Sequence, residues 1–331
     1  MGKLKNISVS FIVPYHALSR LLLTRCLDSI VSLGDLIDWE AWVVDDGTPD
    51  SQANLWVEAY ADSRIHYHYQ KWGGLSAARN TGLSLATKMY VQFIDSDDYL
   101  FTEVYVKALD LVNDLVPDVF AFHYVKVWGI PPVTISDTKL KKQRRIDYEG
   151  SGPHYMMAHN IRVSACGYLI SRKCLGDLRF RVSLYHEDED FTPLMLLRAR
   201  RLVVTRLPVY AYFQRSGSIM LDKDPVRLRK RFTDMLFILN RHTEVQCQLD
   251  GTKALALKRR NATFALAILY ELICQAPTKQ FLFAVLDQLR NTGYYPLPDR
   301  NEPFLYRIVR LVTCSPKLVV LLFLLFRFKK I

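Results

Sequence analysis

The sequence predicts an α/β fold: a mostly parallel, Rossmann-like sheet flanked by helices, followed by a C-terminal helical appendage. Strand-like and helix-like segments alternate over residues 8–115, which implies parallel strands joined by helices. Acidic and glycine-rich motifs follow the predicted strands, and open sheets of this kind bind ligands beyond the carboxyl ends of their strands. From Val226 the apolar pattern becomes helical, and this change defines the appendage.

Four strand–helix pairs form the predicted sheet region. Short apolar runs rich in β-branched and aromatic residues predict the strands, and the amphipathic segments after them predict the helices. The pairs are 8–13 with 21–33, 41–44 with 51–60, 65–69 with 76–87, and 90–94 with 102–115.

The chain is less regular from residue 118 to residue 215 and helical beyond it. A basic run at 139–145 is either a solvated loop or a contact for phosphate groups. We expect one domain at residues 1–220 and a basic helical region at 221–331. The candidate strands are 119–127, 167–170, 202–207 and 209–213, and the candidate helices are 226–244, 253–274 and 278–290.

The chain carries a net charge of +11, and the excess lies in its last third. Residues 223–331 hold 19 basic and 8 acidic side chains, whereas residues 1–222 hold 25 of each. A basic region of this kind suits either nucleic acid or an anionic membrane. Because its Lys and Arg residues are spread among apolar helical positions, a nucleic-acid binder is the weaker interpretation.

An apolar segment near the C-terminus favours the membrane. Residues 318–326 are nine consecutive apolar residues, with Lys317 before them and Arg327, Lys329 and Lys330 after them. As a helix this segment would be about 14 Å long, against roughly 30 Å of hydrocarbon, so it would lie in the interface and not span the bilayer. The alternative is a helix that packs on the protein's own core.

The most informative motif is Asp95-Ser96-Asp97-Asp98, directly after a strand-like apolar run. In an extended segment residues i and i+2 lie on the same face, so Asp95 and Asp97 can hold one hard cation between them. Asp-x-Asp triplets are also common in solvated loops without a metal. The position at a strand end favours a divalent-metal site for a phosphate-bearing ligand.

Two motifs at other strand ends point to the same site. The Asp-Asp-Gly motif at 45–47 follows a buried strand, and a carboxylate there accepts from a nucleobase N–H or a ribose hydroxyl, or else caps the next helix. The Gly-Gly pair at 73–74 opens a helix with Arg79 one turn in, which directs backbone N–H groups and a guanidinium toward the aspartates. Two glycines serve many loop-to-helix junctions, so the combination matters more than either motif.

Two later motifs supply a candidate base and a candidate cation. Four consecutive acids at 187–190 precede an amphipathic helix, and their mutual repulsion must be offset by a helix dipole, a cation or burial in a site. A preference for helix N-termini accounts for two of the four, and one of the acids is a candidate general base. Arg215 follows a predicted strand and either neutralises a diphosphate or lies in a plain solvated loop.

Together these motifs resemble the inverting glycosyltransferases of family two, which use a nucleotide-sugar donor and have the A-type glycosyltransferase fold. The resemblance covers residues 7–220 and consists of six motifs in order. His16 replaces the Asn of many members and Thr48-Pro49 the usual Ser-Thr, and neither change removes a group that the chemistry needs. The motifs are Val-Pro-Tyr-His (13–16), Val-Val-Asp-Asp-Gly-Thr (43–48), Gly-Gly-Leu-Ser-Ala-Ala-Arg-Asn-Thr-Gly (73–82), Phe-Ile-Asp-Ser-Asp-Asp-Tyr (93–99), Glu-Asp-Glu-Asp-Phe (187–191) and Arg-Ser-Gly-Ser-Ile (215–219).

The resemblance implies a role for each matched residue, with Asp188 as the catalytic base and Asp97 as the metal ligand. The base would deprotonate the acceptor hydroxyl opposite the leaving diphosphate, giving single displacement with inversion at the anomeric carbon. Mn²⁺ or Mg²⁺ would neutralise the nucleoside diphosphate as it leaves. The remaining residues would bind the nucleotide sugar: Pro14 and Tyr15 beside the nucleobase, Asp46 at the uracil or ribose, Asp95 at the ribose, Arg79 near the nucleotide, and Arg215 and Ser218 at the diphosphate.

We therefore expect a glycosyltransferase that moves one sugar from a nucleotide diphosphate donor, with UDP as the nucleotide, to a growing glycan that could be lipid-linked. Such an enzyme would serve polysaccharide biosynthesis, and residues 1–220 would be its catalytic domain. Residues 1–6 lead into the first strand without the apolar stretch of a secretory signal. We expect a cytoplasmic protein, peripheral at the inner face of the cell membrane, with an anionic membrane surface as partner and no nucleic acid.

Two other functions would use the same features. A nucleotidyltransferase of similar fold also places an aspartate-bound metal and a glycine loop beside a nucleotide, but it leaves the acids at 187–190 unexplained. A non-catalytic glycan-binding or scaffold protein would keep only the shape of the fold. The intact acids at 95, 97 and 188 argue against this second alternative.

Overall fold

The computed structural model describes Leu4 and residues 7–129, 146–215, 224–298 and 304–328, so the basic run at 139–145 lies outside the described residues. The described strands are β1 (Ser8–Tyr15), β2 (Asp38–Asp46), β3 (Ile65–Gln70), β4 (Tyr90–Phe93), β5 (Tyr99–Leu100), β6 (Val119–Val127), β7 (Tyr148–Gly150), β8 (Tyr168–Ser171) and β9 (Leu202–Phe213). The described helices are α1 (Arg20–Val31), α2 (Ala53–Glu58), α3 (Leu75–Leu85), α4 (Thr102–Leu115), α5 (Gly152–Ala158), α6 (Arg172–Leu175), α7 (Glu187–Arg198), α8 (Pro225–Cys247), α9 (Gly251–Gln275), α10 (Lys279–Asn291), α11 (Phe304–Thr313) and α12 (Pro316–Phe328), with a 3₁₀ helix at Ala165–Gly167.

The described strands join one mixed sheet. Its order is β3–β2–β1–β4–β8–β6–β9–β5, and β7 pairs with β9 outside this path. The strands β1 to β4 run parallel, as the alternation of strands and helices predicts, and the predicted α/β fold class is confirmed. Beyond β4 both directions occur, because β8 is antiparallel to β4 and to β6 while β9 is parallel to β6.

The strands in the parallel half of the sheet are nearly continuous runs of apolar residues because both faces of the sheet are covered there. Every residue of β4, and every residue of β1 after Ser8, is buried, as expected for parallel strands covered on both faces. Helix α3 approaches β1 so closely that a Cβ at Gly82 would lie 2.3 Å from Ile12 Cγ2, which only glycine permits. This packing holds α3 where the loop before it reaches the end of β2.

Strand β9 differs from its prediction. The sequence predicts two strands separated at Pro208, whereas one strand runs from Leu202 to Phe213, with an irregular register where His123 of β6 pairs with Pro208. Proline has no N–H to donate, and such irregular positions tolerate it within a strand. Sequence analysis does not predict β5 and β7, because strands of 2 and 3 residues are too short to show a period.

The described residues form two compact units. The first contains the sheet, and the second contains the helices of the predicted appendage. The first consists of the described residues up to Tyr155, Ile161–Ser183, and residues 187–215. The second consists of Met156–Asn160, Leu184–His186 and the described residues from Asp224 onward.

Apolar side chains from α8, α9 and α10 form the core of the second unit. Phe232 and Phe264 are among its members and are 1 % and 2 % exposed. Leu184 packs against this core, and the backbone N–H of Tyr185 donates to Asp234 Oδ2 at 2.9 Å. These contacts explain why the short segment directly before α7 belongs to the helical unit.

The last two described helices each have a buried side and an exposed side. Val319 and Phe323 are buried in the core of the second unit, while Leu321 and Leu325 are each 52 % exposed. Packing on the protein's own core, the alternative considered for this segment, therefore accounts for one face of α12. Within the described residues, no single helix is long and apolar enough to cross a bilayer, although Tyr306–Thr313 and Pro316–Phe326, bent by 103°, reach that length and composition together.

Candidate active site

Parallel pairing brings the predicted motifs to one edge of the sheet. Tyr15 of β1 lies opposite Asp45 of β2, and Ile12 lies opposite Phe93 of β4. The chain leaves the three strands at the same edge, so the acidic end of β2 and the acidic turn after β4 are neighbours. This is the edge at which open α/β sheets bind ligands.

Asp46 holds the glycine loop in front of α3. Its Oδ1 accepts hydrogen bonds from Gln70 Nε2 at 2.7 Å and from Gly73 N at 2.8 Å, and its Oδ2 accepts from Gly74 N at 2.7 Å. Gly74 has a φ of 84°, a conformation that favours glycine. A contact between Asp46 and a nucleobase or ribose stays a prediction, and it would add to three existing hydrogen bonds.

Asp45 closes the turn after β2. Its Oδ1 accepts from the backbone N–H of Thr48 at 3.0 Å, and its Oδ2 accepts from Ser51 Oγ at 2.5 Å and from the Tyr67 hydroxyl at 2.9 Å. Burial and this bond to Asp45 raise the pKa of Tyr67 to about 12. The two neighbouring aspartates thus each hold a separate loop of the site.

Pro14 and Tyr15 end β1 beside this turn. Tyr15 is buried, its hydroxyl donates to Leu18 O at 2.7 Å, and its ring meets the Trp56 ring edge-on at 6.4 Å. Burial, followed by the charge of Asp45, raises the pKa of Tyr15. These contacts hold the Tyr15 side chain in place at the end of β1. A contact of Pro14 and Tyr15 with a nucleobase stays a prediction.

The three aspartates after β4 have different surroundings. The side chains of Asp95 and Asp97 are 35 % and 18 % exposed, whereas Asp98 is buried. Asp98 accepts from the Tyr210 hydroxyl and from Phe213 N, each at 2.7 Å, so it ties β9 to the acidic turn. Burial and the charges of Asp95 and Asp97 raise the pKa of Asp98 well above its usual value. Asp95 and Asp97 are therefore the members of this turn that can face a ligand.

Arg79 is a buried cation shared by three acids. Its side chain is 2 % exposed; Nη2 donates to Asp95 Oδ1 at 3.0 Å, and Nη1 donates to Glu187 Oε1 at 2.8 Å and to Asp188 Oδ1 at 3.1 Å. Burial disfavours its charge, but Asp188, Asp95 and Glu187 together raise the pKa of Arg79 well above its usual value. The prediction placed Arg79 near the nucleotide, and in the structure its guanidinium joins the acidic turn to α7 and positions the acids.

Asp188, the predicted general base, has a raised pKa. Burial is the largest of the effects that raise the pKa of Asp188 to about 7, and the charges of Glu187 and Asp95 raise it as well. The charge of Arg79 and a hydrogen bond from the backbone N–H of Ala165 lower it. A carboxylate that titrates near neutrality is suited to taking a proton at physiological pH. The side chain is 24 % exposed, so a substrate hydroxyl can reach it.

Arg215 pairs directly with the predicted metal ligand. Its Nε donates to Asp97 Oδ2 at 2.6 Å. Burial and Asp95 raise the pKa of Asp97, and the bond from Arg215 lowers it. The structure thus brings together a predicted diphosphate contact and the predicted metal ligand. Ser218, the other predicted diphosphate contact, lies outside the described residues.

The acidic turn fits a divalent cation that also binds phosphate oxygens. In the part of the chain that the structure describes, no group of three or more His, Cys, Asp and Glu side chains could hold a metal. Magnesium sites, however, commonly combine one or two carboxylates with substrate phosphates. Asp95 and Asp97, whose side chains are 35 % and 18 % exposed, can supply one or two carboxylates to such a site.

Sequence analysis misses two groups that complete the site. The Tyr210 hydroxyl donates to Asp98 and accepts from the backbone N–H of Asp95 at 3.1 Å. The backbone N–H of Ala165, in the 3₁₀ helix, hydrogen-bonds Asp188. The sequence offers one signal for the Tyr210 hydroxyl, namely two tyrosines at alternate positions, 210 and 212, of β9. It offers none for the N–H of Ala165, because every residue except proline has a backbone N–H.

The fold and the site define a class of α/β domain in which acidic side chains and a buried guanidinium meet at the carboxyl edge of the sheet, the edge where such domains bind ligands. Residues 10–162 match the model of the family described as "Glycosyl transferase family 2". The match covers 153 of the 331 residues, and over these residues the resemblance to glycosyltransferase family two is confirmed.

Part of this chain is similar in sequence to known proteins. Glycosyltransferase GlyA of Streptococcus pneumoniae is 29 % identical over 232 residues, which cover 64 % of this chain and 31 % of GlyA. Minor teichoic acid biosynthesis protein GgaB of Bacillus subtilis is 26 % identical over 216 residues, which cover 62 % of this chain and 23 % of GgaB. The chain thus spans less than a third of the length of these relatives.

Solved glycosyltransferase structures share the fold. S. aureus TarS 1–349 in complex with UDP-GlcNAc gives a TM-score of 0.65 at 20 % identity, covering 88 % of this chain and 82 % of that one. The mannosyltransferase PcManGT from Pyrobaculum calidifontis, in complex with GDP-Man and Mn²⁺, gives a TM-score of 0.54 at 15 % identity, covering 95 % and 82 %. At these identities the likeness establishes the fold alone, which is the A-type fold that the motifs imply.

Proposed function

We propose that this protein is a glycosyltransferase that moves a single sugar from a nucleotide diphosphate donor, with UDP as the nucleotide, to a growing glycan. One observation carries the proposal: the buried Arg79 joins Asp95, on the donor side, to the candidate base Asp188. The complex of TarS with UDP-GlcNAc supports a UDP-sugar donor, and the name of GgaB supports an acceptor of the teichoic acid type, made in polysaccharide biosynthesis.

In the proposed reaction Asp188 takes the proton of the acceptor hydroxyl, whose oxygen bonds to the anomeric carbon as the bond from that carbon to the diphosphate breaks. Attack opposite the leaving group inverts the anomeric configuration. Asp97 would hold Mn²⁺ or Mg²⁺, which when bound stabilises the charge of the leaving diphosphate. Arg215, next to Asp97, would donate to the same phosphates, and Asp95 would orient the ribose.

Consumption of a panel of nucleotide sugars with Mn²⁺ or Mg²⁺ tests this proposal. We expect the wild type to consume one donor and Asp97→Ala to lose that activity by about 100-fold or more, because several kcal/mol of charge stabilisation depend on the cation. Asp114→Ala is the control, since Asp114 is an exposed aspartate near the end of α4. If the donor is stable alone, the panel is repeated with a lipid extract as acceptor.

Three outcomes would count against parts of the proposal. Full activity of Asp97→Ala would reject the metal assignment. Release of pyrophosphate from a nucleoside triphosphate would favour the nucleotidyltransferase. Failure of the wild type to bind any nucleotide would favour the non-catalytic glycan-binding or scaffold protein.

We further propose that the protein resides in the cytoplasm and binds the inner face of the cell membrane through α11 and α12, where it meets a lipid-linked acceptor. The two helices combine exposed apolar side chains with Arg307 and Lys317, a composition that suits an anionic bilayer surface. The exposed apolar side chains are Ile308, Leu311, Val312, Leu318, Leu321, Leu324, Leu325 and Phe326.

The double substitution Leu321→Glu and Leu325→Glu is expected to lower the affinity for anionic liposomes by about 100-fold or more. It removes two exposed leucines that would insert into the membrane interface, and it adds two negative charges that the anionic lipids repel. Co-sedimentation measures the bound fraction. Leu255→Glu is the matched control, because Leu255 is a 54 % exposed leucine on α9. Unchanged co-sedimentation of the double variant would reject the membrane proposal.

A further inference from the structure

Four side chains of the first unit form a cluster that the proposed reaction does not use: His123, Tyr124, Arg162 and Tyr212, here the Tyr124 cluster. The rings of Tyr124 and Tyr212 meet at 70° with 5.6 Å between their centroids. Arg162 Cζ lies 4.2 Å from the centroid of the Tyr124 ring, and the His123 ring stacks on Tyr124 at 6.0 Å. All four side chains are accessible, with Tyr212 37 % exposed.

The Tyr124 cluster lies near two parts of the candidate active site, the acidic turn after β4 and the candidate base Asp188. Tyr212 lies on β9 beside the residue whose backbone N–H donates to Asp98. Burial, followed by the carboxylates of the acidic turn, raises the pKa of Tyr212. Arg162 precedes by three positions Ala165, whose backbone N–H bonds Asp188. A ligand on the cluster would therefore lie close to the base, where the acceptor hydroxyl has to be.

No described carboxylate forms an ion pair with Arg162. Its Nη1 donates to Phe122 O at 3.3 Å and its Nη2 donates to His123 Nδ1 at 2.7 Å. Among the residues that the structure describes, no carboxylate lies within ion-pair distance of it. A guanidinium has five N–H donors, so several are left for a ligand. The charge and these donors suit an anion.

His123 adds a second donor to the same surface. Because its Nδ1 accepts from Arg162, the imidazole is neutral and carries its proton on Nε2. Burial and the charges of Arg162 and Arg206 lower the pKa of His123, which keeps the ring in this state. The Nε2–H group is then available to donate to an oxygen.

We infer that the Tyr124 cluster is the acceptor subsite and that the acceptor bears a phosphate group close to the hydroxyl that receives the sugar; this inference rests on the proposed function. The rings of Tyr124 and Tyr212 offer apolar area to a sugar or alditol. Arg162 and the Nε2–H of His123 donate to the phosphate oxygens, for which the planar guanidinium is well matched. A neutral glycan would leave Arg162 without an anionic partner among the described residues, so the cluster favours the anionic acceptor.

Phosphate reaches such a subsite from two sources, the phosphodiester of an alditol phosphate polymer or the diphosphate of a lipid-linked glycan. Calorimetric titration of the full chain, with UDP present, distinguishes them by using three probes: oligo(glycerol phosphate), a polyprenyl-diphosphate-linked disaccharide, and a neutral maltooligosaccharide. We expect one phosphate-bearing probe to bind and Arg162→Gln to weaken that binding by about tenfold or more, as for loss of a hydrogen bond to a charged group. Raising the salt concentration should weaken the same probe and leave the neutral one unaffected.

Arg172→Gln is the matched control, because Arg172 is an exposed arginine of the same unit that donates to backbone carbonyls after α3. Arg162→Lys should keep part of the phosphate affinity, since it keeps the charge and loses the fork of donors. If UDP binds but the wild type prefers the neutral probe, or if Arg162→Gln binds phosphate probes as the wild type does, the inference is wrong while the proposed function stands. If neither UDP nor a UDP-sugar binds, the proposed function fails and the inference fails with it.

Discussion

Replacing Asp188 with asparagine is expected to lower kcat for sugar transfer by about 1,000-fold, within the range that general bases contribute. Asparagine keeps the shape of the side chain and an oxygen that accepts from Arg79, but it cannot take the proton of the acceptor. The KM for the donor should change little, since the base acts on the acceptor. Steady-state kinetics with the donor that the panel of nucleotide sugars identifies measure both quantities.

Two further variants make this result specific. Asp177→Asn is the control, because the Asp177 side chain is 90 % exposed and should leave kcat unchanged. Glu187→Gln removes the other acid that Arg79 holds at this end of α7. A loss of less than about tenfold in Asp188→Asn would contradict its role as the base, and a larger loss in Glu187→Gln would transfer that role to Glu187.

The pH dependence of the reaction should follow the same carboxylate. Burial raises the pKa of Asp188 to about 7, so the group is mostly protonated and inactive as a base below that pH and ionised above it. We expect kcat/KM to rise with pH through about 7 and then level off. A profile that is flat from about pH 5.5 to about pH 8.5 would place the base elsewhere.

Replacing Arg79 with methionine is expected to destabilise the protein by about 3–5 kcal/mol, the cost of leaving buried charges without their partner. Asp95, Glu187 and Asp188 would then repel one another without a cation between them. Loss of the cation raises the pKa of Asp188 further, so the stability of the variant should fall as the pH rises. Urea unfolding at about pH 6 and at about pH 8, followed by tryptophan fluorescence, measures both effects.

Arg64→Met is the matched control for this substitution. Arg64 also pairs with two carboxylates, Asp35 and Asp62, but its side chain is 30 % exposed, and such surface pairs contribute only about 0–1 kcal/mol. Equal losses in the two variants would show that the buried arrangement is not the source of the effect. Arg79→Lys should recover part of the stability, because it restores the charge but not the fork of donors.

Short sequence motifs predict those parts of the site that lie at the end of one strand or the start of one helix. Asp95 and Asp97 follow an apolar strand, and this position predicts acids at the carboxyl edge of the sheet. The prediction that both lie on one face assumed an extended segment, whereas residues 95–98 form a turn in which Asp98 N donates to Asp95 O at 2.9 Å. The glycine loop and the acids of α7 have comparable local signals, namely a Gly-Gly pair and the preference of acids for a helix N-terminus. The parallel half of the sheet is predictable for the same reason, since strands and helices alternate along the chain.

Contacts between distant segments account for what the sequence does not predict. Arg79 bonds acids that lie 108 and 109 positions later, so its motif predicts a guanidinium at the site but not three acidic partners. The insertion of β8 between β4 and β6 also depends on long-range pairing, which no local period specifies. The Tyr124 cluster likewise joins side chains from β6, β9 and the loop at Arg162.

The chain enters the helical unit twice before its final helices begin. Met156–Asn160 and Leu184–His186 pack with that unit, while the described residues on either side of each belong to the unit with the sheet. The second segment directly precedes the acids of α7, and Asp234 of α8 binds its backbone. A chain ending at residue 220 would keep both segments but lose the helices that hold them. Exchange of the helical region during evolution would therefore require matching changes in both segments, which makes the two units poor candidates for free recombination as modules.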